Sequence, residues 1–329
     1  MATVGIIANP MSGKDIRRLI ANAGTSTFAE KVTIVRRIIV GAVHGGATKL
    51  LVLPDPHRLC GRALDTLKLD LEVTEIVVAR THDERETVLA GAAMREAGAG
   101  AVVVLGGDGT NRALAMGWLD APVVPLSTGT NNVFPVHVAP TIAGAAAGLV
   151  ASRAVPIAAV SKRAKVVHVE VDGEEDDLAL VDAVVTADEH PGSRTLFDPA
   201  TLRLAVITRA EPASVGISSI AGLAVPCSAD DDGGVVVRFA PPEGATHVID
   251  APIAPGLYQH VGFDECRRIA LGETVELAGP GILAFDGERK RAVPEGRTMR
   301  FRIERDGPRV IDVQAVLTAA ASSGRYVVR

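Results

Sequence analysis

The stretch Ala101-Val102-Val103-Val104-Leu105 carries no polar side chain and empties into Gly106-Gly107-Asp108-Gly109-Thr110-Asn111-Arg112. A short β-branched run of this kind suits a strand covered on both faces of a parallel sheet. The turn behind it constrains more. Gly106, Gly107 and Gly109 lack a Cβ, so the backbone can bend sharply there and a second group can approach its amides closely. A phosphate suits those amides. A helix expected over Arg112–Leu119, with Thr110 or Asn111 as its cap, brings the positive end of a helix dipole to the same point. Asp108 is the only carboxylate in the turn. Beside phosphates it has two uses: to help hold a divalent cation, or to accept the proton of an attacking hydroxyl. The plainer alternative is a strand-to-helix turn with Asp108 as a local cap, but two adjacent glycines, an Asp and a third glycine exceed what such a turn needs.

Two more turns of this sort follow strands in the same half of the chain. Val4–Ala8 ends in Asn9-Pro10-Met11-Ser12-Gly13-Lys14. Pro10 stops the strand, Gly13 frees the backbone, and Asn9, Ser12 and Lys14 supply polar groups suited to a polyphosphate. The spacing of a Walker loop is absent, and taken alone the stretch also fits an ordinary polar loop. Pro122–Leu126 ends in Ser127-Thr128-Gly129-Thr130-Asn131-Asn132. Asn131 and Asn132 either orient a sugar hydroxyl or phosphate oxygen, or only satisfy the bend. Between these strands the pattern predicts helices over Phe28–Gly41, Leu59–Leu69, Asp83–Ala97 and Val138–Ser152, with strands over Lys49–Leu53 and Glu72–Val78. The alternation predicts an α/β domain with a doubly wound parallel sheet over residues 1–153. Ligands of such a sheet sit at the carboxyl ends of its strands, where all three turns lie.

From Val155 onward the pattern changes to short alternating apolar segments, from Ala164–Val171 through Arg297–Ile303. This predicts an all-β, sandwich-like domain over residues 154–310. Asp172-Gly173, Asp232-Gly233-Gly234 and Asp286-Gly287 carry the chemistry of hairpin turns. The run Glu174-Glu175-Asp176-Asp177 fits a solvated loop. Ile311–Ala321 reads as a closing helix, so residues 311–329 are expected to pack back on the first domain.

Composition narrows the partners. A chain of 329 residues that is 47% hydrophobic buries a large core and supports two domains. Its net charge of −5 gives no general attraction to nucleic acid or to an anionic membrane. With 3% aromatic residues it offers few platforms for stacked bases. Cys60, Cys227 and Cys266 are widely spaced and odd in number, which suits buried thiols rather than a disulfide framework or a zinc site. No apolar run reaches membrane-spanning length and no basic-then-apolar leader precedes the first strand, so a cytoplasmic location is expected.

With the three turns in view, the chain resembles the superfamily of NAD kinases, diacylglycerol kinases and sphingosine kinases, and more narrowly the ATP-NAD kinase/AcoX family. Gly106–Thr110 matches the GGDGT signature of the superfamily, and Asn9–Gly13 resembles the N-P-x-S-G loop of its lipid-kinase branch. Ser127–Pro135 and Phe285-Asp286-Gly287-Glu288 resemble two segments of AcoX-like proteins. The resemblance implies an ATP-dependent kinase that uses Mg2+, with the nucleotide between an α/β domain and a β-rich domain. It implies nucleotide contacts from Asn9, Ser12, Gly13, Lys14, Gly106, Gly107, Gly109, Thr110 and Ser127 through Asn132, and a catalytic or metal-holding role for Asp108. Asp286 or Glu288 would assist a base or compete with Asp108 for that role. The acceptor is expected to be a hydroxyl of NAD or of another small metabolite. A lipid acceptor, or a nucleotide-binding regulator without catalysis, are the alternatives. The Asn-Glu pair of NAD kinases corresponds here to Val181-Asp182, and a further segment corresponds to Glu211–Ser219, which makes Asp182, Ser214 and Ser218 the candidate acceptor contacts. Val181 in place of the asparagine that helps hold NAD counts against NAD. Self-association as a homodimer or larger homo-oligomer is also implied.

Overall fold

The computed structural model describes residues 1–12, 27–128, 132–187 and 198–327, without the side chains of residues 289 and 290. Gly13, Lys14, Gly129, Thr130 and Asn131 lie outside these residues.

The first half holds strands β1 (Thr3–Ala8), β2 (Lys49–Val52), β3 (Glu72–Glu75), β4 (Ala101–Leu105) and β5 (Pro122–Leu126), paired in parallel in the order β3-β2-β1-β4-β5. Helices α1 (Phe28–His44), α2 (Leu59–Leu64), α3 (Arg85–Glu96), α4 (Asp108–Gly117) and α5 (Pro140–Ala151) connect them. Ile6, Val103 and Val124 face a core shared with α1 and α5, while Ile7, Val104 and Val123 face a second core shared with α3 and α4. Burial of both strand faces explains why the central strands β4 and β5 are unbroken apolar runs. Gly41 and Gly144 let α1 and α5 touch backbone to backbone, since a Cβ on Gly41 would lie 2.0 Å from the carbonyl oxygen of Thr141.

Several boundaries are corrected: α2 ends at Leu64 rather than Leu69, and β3 at Glu75 rather than Val78. Helix α4 starts at Asp108, a full turn before Arg112, with Gly107 as its cap residue and no side-chain cap. Thr110 and Asn111 are occupied elsewhere: Thr110 Oγ1 accepts from Asn9 and Asn111 Nδ2 donates to the Gly107 carbonyl.

Helix α6 (Ile157–Val160) and strand β6 (Ser161–Arg163) lead into β7 (Val166–Val171), β8 (Asp177–Ala179), β9 (Asp182–Thr186), β10 (Leu202–Ile207), α7 (Ile217–Ala224), β11 (Gly234–Phe239), β12 (His247–Ala254), β13 (Leu257–Ile269), β14 (Thr274–Ala278), β15 (Gly281–Phe285), β16 (Glu288–Val293), β17 (Thr298–Glu304), β18 (Arg309–Ile311) and α8 (Val313–Ser322). A seven-stranded antiparallel sheet, β12-β13-β11-β10-β9-β15-β16, packs on a four-stranded one, β14-β17-β7-β8. Val169, Val185, Leu204, Phe285 and Phe301 fill the space between them. The outer face of the larger sheet is covered by α7 through Ile217 and Ile220, a helix that the alternating pattern did not predict.

The chain returns to its beginning. β18 pairs in parallel with β5 and antiparallel with β6, extending the first sheet, and α8 packs Val313, Val316 and Ala320 into the first core. Asp312 caps α8 by accepting from the amide of Ala315. Two further sequence expectations change. Asp232-Gly233-Gly234 leads into β11 and closes no hairpin, because α7 lies between the paired strands β10 and β11. The acidic run is solvated only in its middle, where Glu175 and Asp176 are exposed; at its ends Asp177 pairs with Arg112, and Glu174 with Arg291 at 3.2 Å. Among the described residues no helix is long and apolar enough to cross a membrane.

Candidate active site

The parallel register sets the ends of three strands side by side, Ala8 opposite Leu105 and Leu105 opposite Leu126. The turns that follow therefore meet. Asn9 Nδ2 donates to Thr110 Oγ1 at 2.9 Å, its backbone N–H donates to the Leu105 carbonyl at 3.0 Å, and Ser12 Oγ donates to the Asn9 carbonyl at 2.7 Å. On the other side, Asn132 Nδ2 donates to Ser127 Oγ at 2.9 Å, next to Thr128. The absent side chains matter here. A Cβ on Gly106 would lie 2.6 Å from Cβ of Thr110, and one on Gly107 would lie 2.8 Å from Asn132 Oδ1.

Lys31, which sequence reasoning passed over, holds the first turn. Its side chain is fully buried, and Nζ donates to the carbonyls of Pro10 at 2.7 Å and Ser12 at 2.6 Å, with Asn9 at 3.4 Å. A buried ammonium is tolerable because carbonyl dipoles replace its water. The signal was present: Lys31, Val35, Ile38 and Ala42 fall on one face of α1, and that face is the buried one.

Asp108 sits in the first turn of α4 and accepts from the amides of Val133, at 3.1 Å, and Phe134, at 2.8 Å. Burial pushes its carboxyl up to about 7, helped by the nearby Asp286 and opposed by these amides and by Arg209. Asp286 comes from the second domain. With Gly287 it forms the two-residue turn between β15 and β16, both residues at positive φ, 51° and 82°. That is the backbone of a tight hairpin, as the sequence suggests. The same turn projects the Asp286 carboxylate onto the amides of Leu180, Val181 and Asp182 at 3.1, 2.8 and 3.2 Å. Burial raises the Asp286 carboxyl too, while those amides and Arg112 oppose the shift. Glu288, two residues on, lies beside Gly109: a Cβ there would be 3.5 Å from its Oε1.

Asp108, Asp286 and Gly287 line one cleft together with Asp182, Val133 and Ser218. Ser218 Oγ donates to the carbonyl of Arg209 and accepts from the amide of Glu211 at 3.2 Å. Ser214 is not among the residues that line the cleft, and its hydroxyl donates to the Glu211 carbonyl at 2.7 Å. Val181 lends only its backbone amide, because its side chain is buried with Phe134, Val166 and Leu180. Two arginines frame the arrangement. Arg209 stacks 4.9 Å over the ring of Phe134 and donates to the Val133 carbonyl at 3.2 Å. Arg112, one helical turn after Asp108, reaches into the second domain.

Among the described residues no group of three or more His, Cys, Asp or Glu side chains is placed to hold a metal ion. Half-buried Asp108 and buried Asp286, which line the same cleft, nevertheless fit Mg2+, which commonly takes one or two carboxylates and fills its remaining positions with water and phosphate oxygens.

Comparison with known proteins agrees with this layout. Residues 4–155 match the ATP-NAD kinase N-terminal domain, and residues 165–306 match the acetoin catabolism protein X C-terminal domain. Acetoin catabolism protein X of Cupriavidus necator is 37% identical over 336 aligned positions, covering 96% of this chain and 92% of that protein. The crystal structure of yeast NADH kinase complexed with NADH superposes with a TM-score of 0.54 at 13% identity, covering 99% of this chain and 89% of that one, and so shares the fold. An α/β half of the ATP-NAD kinase type joined to a β-rich half of this kind, with a relative of that identity along nearly the whole length, places the chain in the acetoin catabolism protein X family.

Proposed function

We propose that the chain is an ATP-dependent phosphotransferase, with the donor phosphates on the three converging turns and the hydroxyl of a small acceptor in the cleft between the domains. Asp108 carries this reading. A carboxylate with its midpoint at about 7, half-buried in the first turn of α4 and lining the cleft, is matched to accept a hydroxyl proton near neutral pH. The acceptor oxygen bonds to the γ-phosphorus as the bond from that phosphorus to the β,γ-bridging oxygen breaks. The hydroxyl proton passes to Asp108 and ADP leaves with the electron pair. The bare amides of Gly107 and Gly109, at the positive end of α4, stabilise the phosphate charge. Asn9, Ser12, Ser127, Thr128 and Asn132 shape the bed around them, and Gly13, Lys14, Gly129, Thr130 and Asn131 are proposed to complete it. Asp286 is the carboxylate for Mg2+ accompanying the triphosphate, where the ion would neutralise phosphate charge.

Incubation of the protein with γ-labelled ATP, Mg2+ and a panel of hydroxylated metabolites that includes NAD tests the proposal. Label should appear in an acceptor, and Asp108→Asn should reduce transfer by about 100-fold or more while the circular dichroism spectrum is kept. Near-wild-type turnover in that variant would overturn the assignment.

A further inference from the structure

We infer that Arg209, on the phosphotransferase reading above, is a positioning residue of the reaction: it fixes the backbone that holds Asp108, and so keeps that carboxylate in the cleft. Asp108 is borne by α4, but its direction is set by a different segment, through the amides of Val133 at 3.1 Å and Phe134 at 2.8 Å. Val133 is held twice. Its amide donates to Asp108, while its carbonyl accepts from the Arg209 guanidinium at 3.2 Å. The same guanidinium lies 4.9 Å from the centre of the Phe134 ring. Phe134 is 1% exposed and sits in a core drawn from both domains, with Ala115 of α4 and with Val166, Leu180 and Val181. One flat cation therefore meets both residues whose amides hold the carboxylate. Arginine suits this place because it offers a planar face for stacking together with a fork of donors.

The backbone of Arg209 is anchored near the other aspartate. Thr208, its neighbour, donates from its amide to the Val181 carbonyl at 2.8 Å and from its hydroxyl to the Leu180 carbonyl at 2.6 Å. The amides of Leu180 and Val181 in turn hold Asp286. On the other side Ala210 exchanges backbone bonds with Cys227 at 2.8 and 2.9 Å, and the Arg209 carbonyl accepts from Ser218, which lines the cleft. Residues 208–210 thus join the seats of Asp286 and Asp108 across the domain boundary. Charge supports the geometry. Burial is the main influence on both groups, raising the Asp108 carboxyl and lowering the Arg209 guanidinium, and each charge opposes the other's shift. Displacing a reacting group by about 1 Å can cost about 100-fold in rate, so such an anchor is felt in turnover without touching the substrate.

The test compares the wild-type chain with Arg209→Met, alone and combined with Asp108→Asn, using Mg2+, γ-labelled ATP and the acceptor that takes most label in the panel above. Arg209→Met keeps an unbranched stem and removes the charge and the donor. It should lower kcat by about 10- to 100-fold while KM for ATP and for the acceptor stay within about threefold. In the Asp108→Asn background it should lower transfer by less than about threefold, because orienting an absent base gains nothing. Should Arg209→Met fail to fold, Arg209→Lys carries the same test with a smaller fall in kcat, since it keeps the charge but neither the planar face nor the fork. An equal loss with and without Asp108, a rise in KM at unchanged kcat, or wild-type turnover would overturn the inference and leave the phosphotransferase reading standing. No transfer by the wild-type chain to any member of the panel would overturn both.

Discussion

The guanidinium of Arg112 lies 5.0 Å from the centre of the Phe285 ring, and Phe285 is the residue before Asp286. Arg112 is also one helical turn after Asp108, on the same face of α4. Its side chain is 1% exposed, pairs with Glu84 at 3.1 Å and with Asp177, and donates to the Leu178 carbonyl at 2.7 Å. One buried cation therefore braces the elements that carry both aspartates, from opposite domains.

Arg112→Ala should destabilise the protein by about 3–5 kcal/mol, because it strands partly buried carboxylates and removes the brace between domains. A urea titration gives the value. Arg112→Lys should recover little of it, since an ammonium cannot reproduce the planar fork that serves Glu84, Asp177 and Leu178 together. Full recovery by lysine would show that charge alone suffices.

Lys31→Met keeps much of the side-chain volume and removes the donor shared by the carbonyls of Asn9, Pro10 and Ser12. Leaving such carbonyls without their partner costs about 1–3 kcal/mol. The turn they belong to is proposed to hold the nucleotide, so calorimetric titration with ATP should show weaker binding in this variant. Unchanged affinity would separate the first turn from the nucleotide site.

Much of this arrangement was legible in the sequence, and the exceptions have physical causes. The parallel sheet could be read because β4 and β5 are buried on both faces and so are unbroken apolar runs. β13 and β16 escaped: β13 opens with Tyr258 and His260 exposed on either side of half-buried Gln259, and β16 begins Glu-Arg-Lys-Arg. Helix α7 was hidden because Ser218 and Ser219 look like loop residues, yet their hydroxyls bond to nearby carbonyls and are buried. Asp286 shows how local sequence underdetermines chemistry. Asp-Gly correctly signals the hairpin, but nothing local says that the carboxylate reaches the amides of residues about a hundred positions earlier. Lys31 and Arg112 were legible only in part, since a charged residue on a helix is usually solvated and tertiary contacts alone reveal its burial.

Gly106→Ala tests the close contact between the first two turns. The added Cβ would sit 2.6 Å from Cβ and Oγ1 of Thr110, too close to persist, so Thr110 must shift and its bond from Asn9 must lengthen or break. Overpacking of this kind costs about 1–3 kcal/mol. Thermal denaturation should show that loss, and ATP titration a weakened site. An alanine variant with wild-type melting and affinity would mean that the turns are not held by this contact.

Asp108 makes stability and activity respond to pH in opposite directions. Its folded carboxyl titrates at about 7 against a reference of 3.8. Between those values the folded chain keeps a proton that the unfolded chain has released, so stability falls as pH rises from about 4 to about 7 and then levels off. Asp286, also raised by burial, adds to the same slope. Proton acceptance needs the ionised form, so phosphoryl transfer should climb through the upper part of that window. Asp108→Asn should flatten the stability profile and raise stability at pH 8, while removing the limb in the rate. A metal bound directly to Asp108 would instead hold the carboxylate ionised in the working complex and erase the limb near 7 in the wild type. A pH–rate profile of the wild-type chain therefore distinguishes a proton acceptor from a metal ligand at this position, and denaturation across the same pH range checks that the raised carboxyl belongs to Asp108.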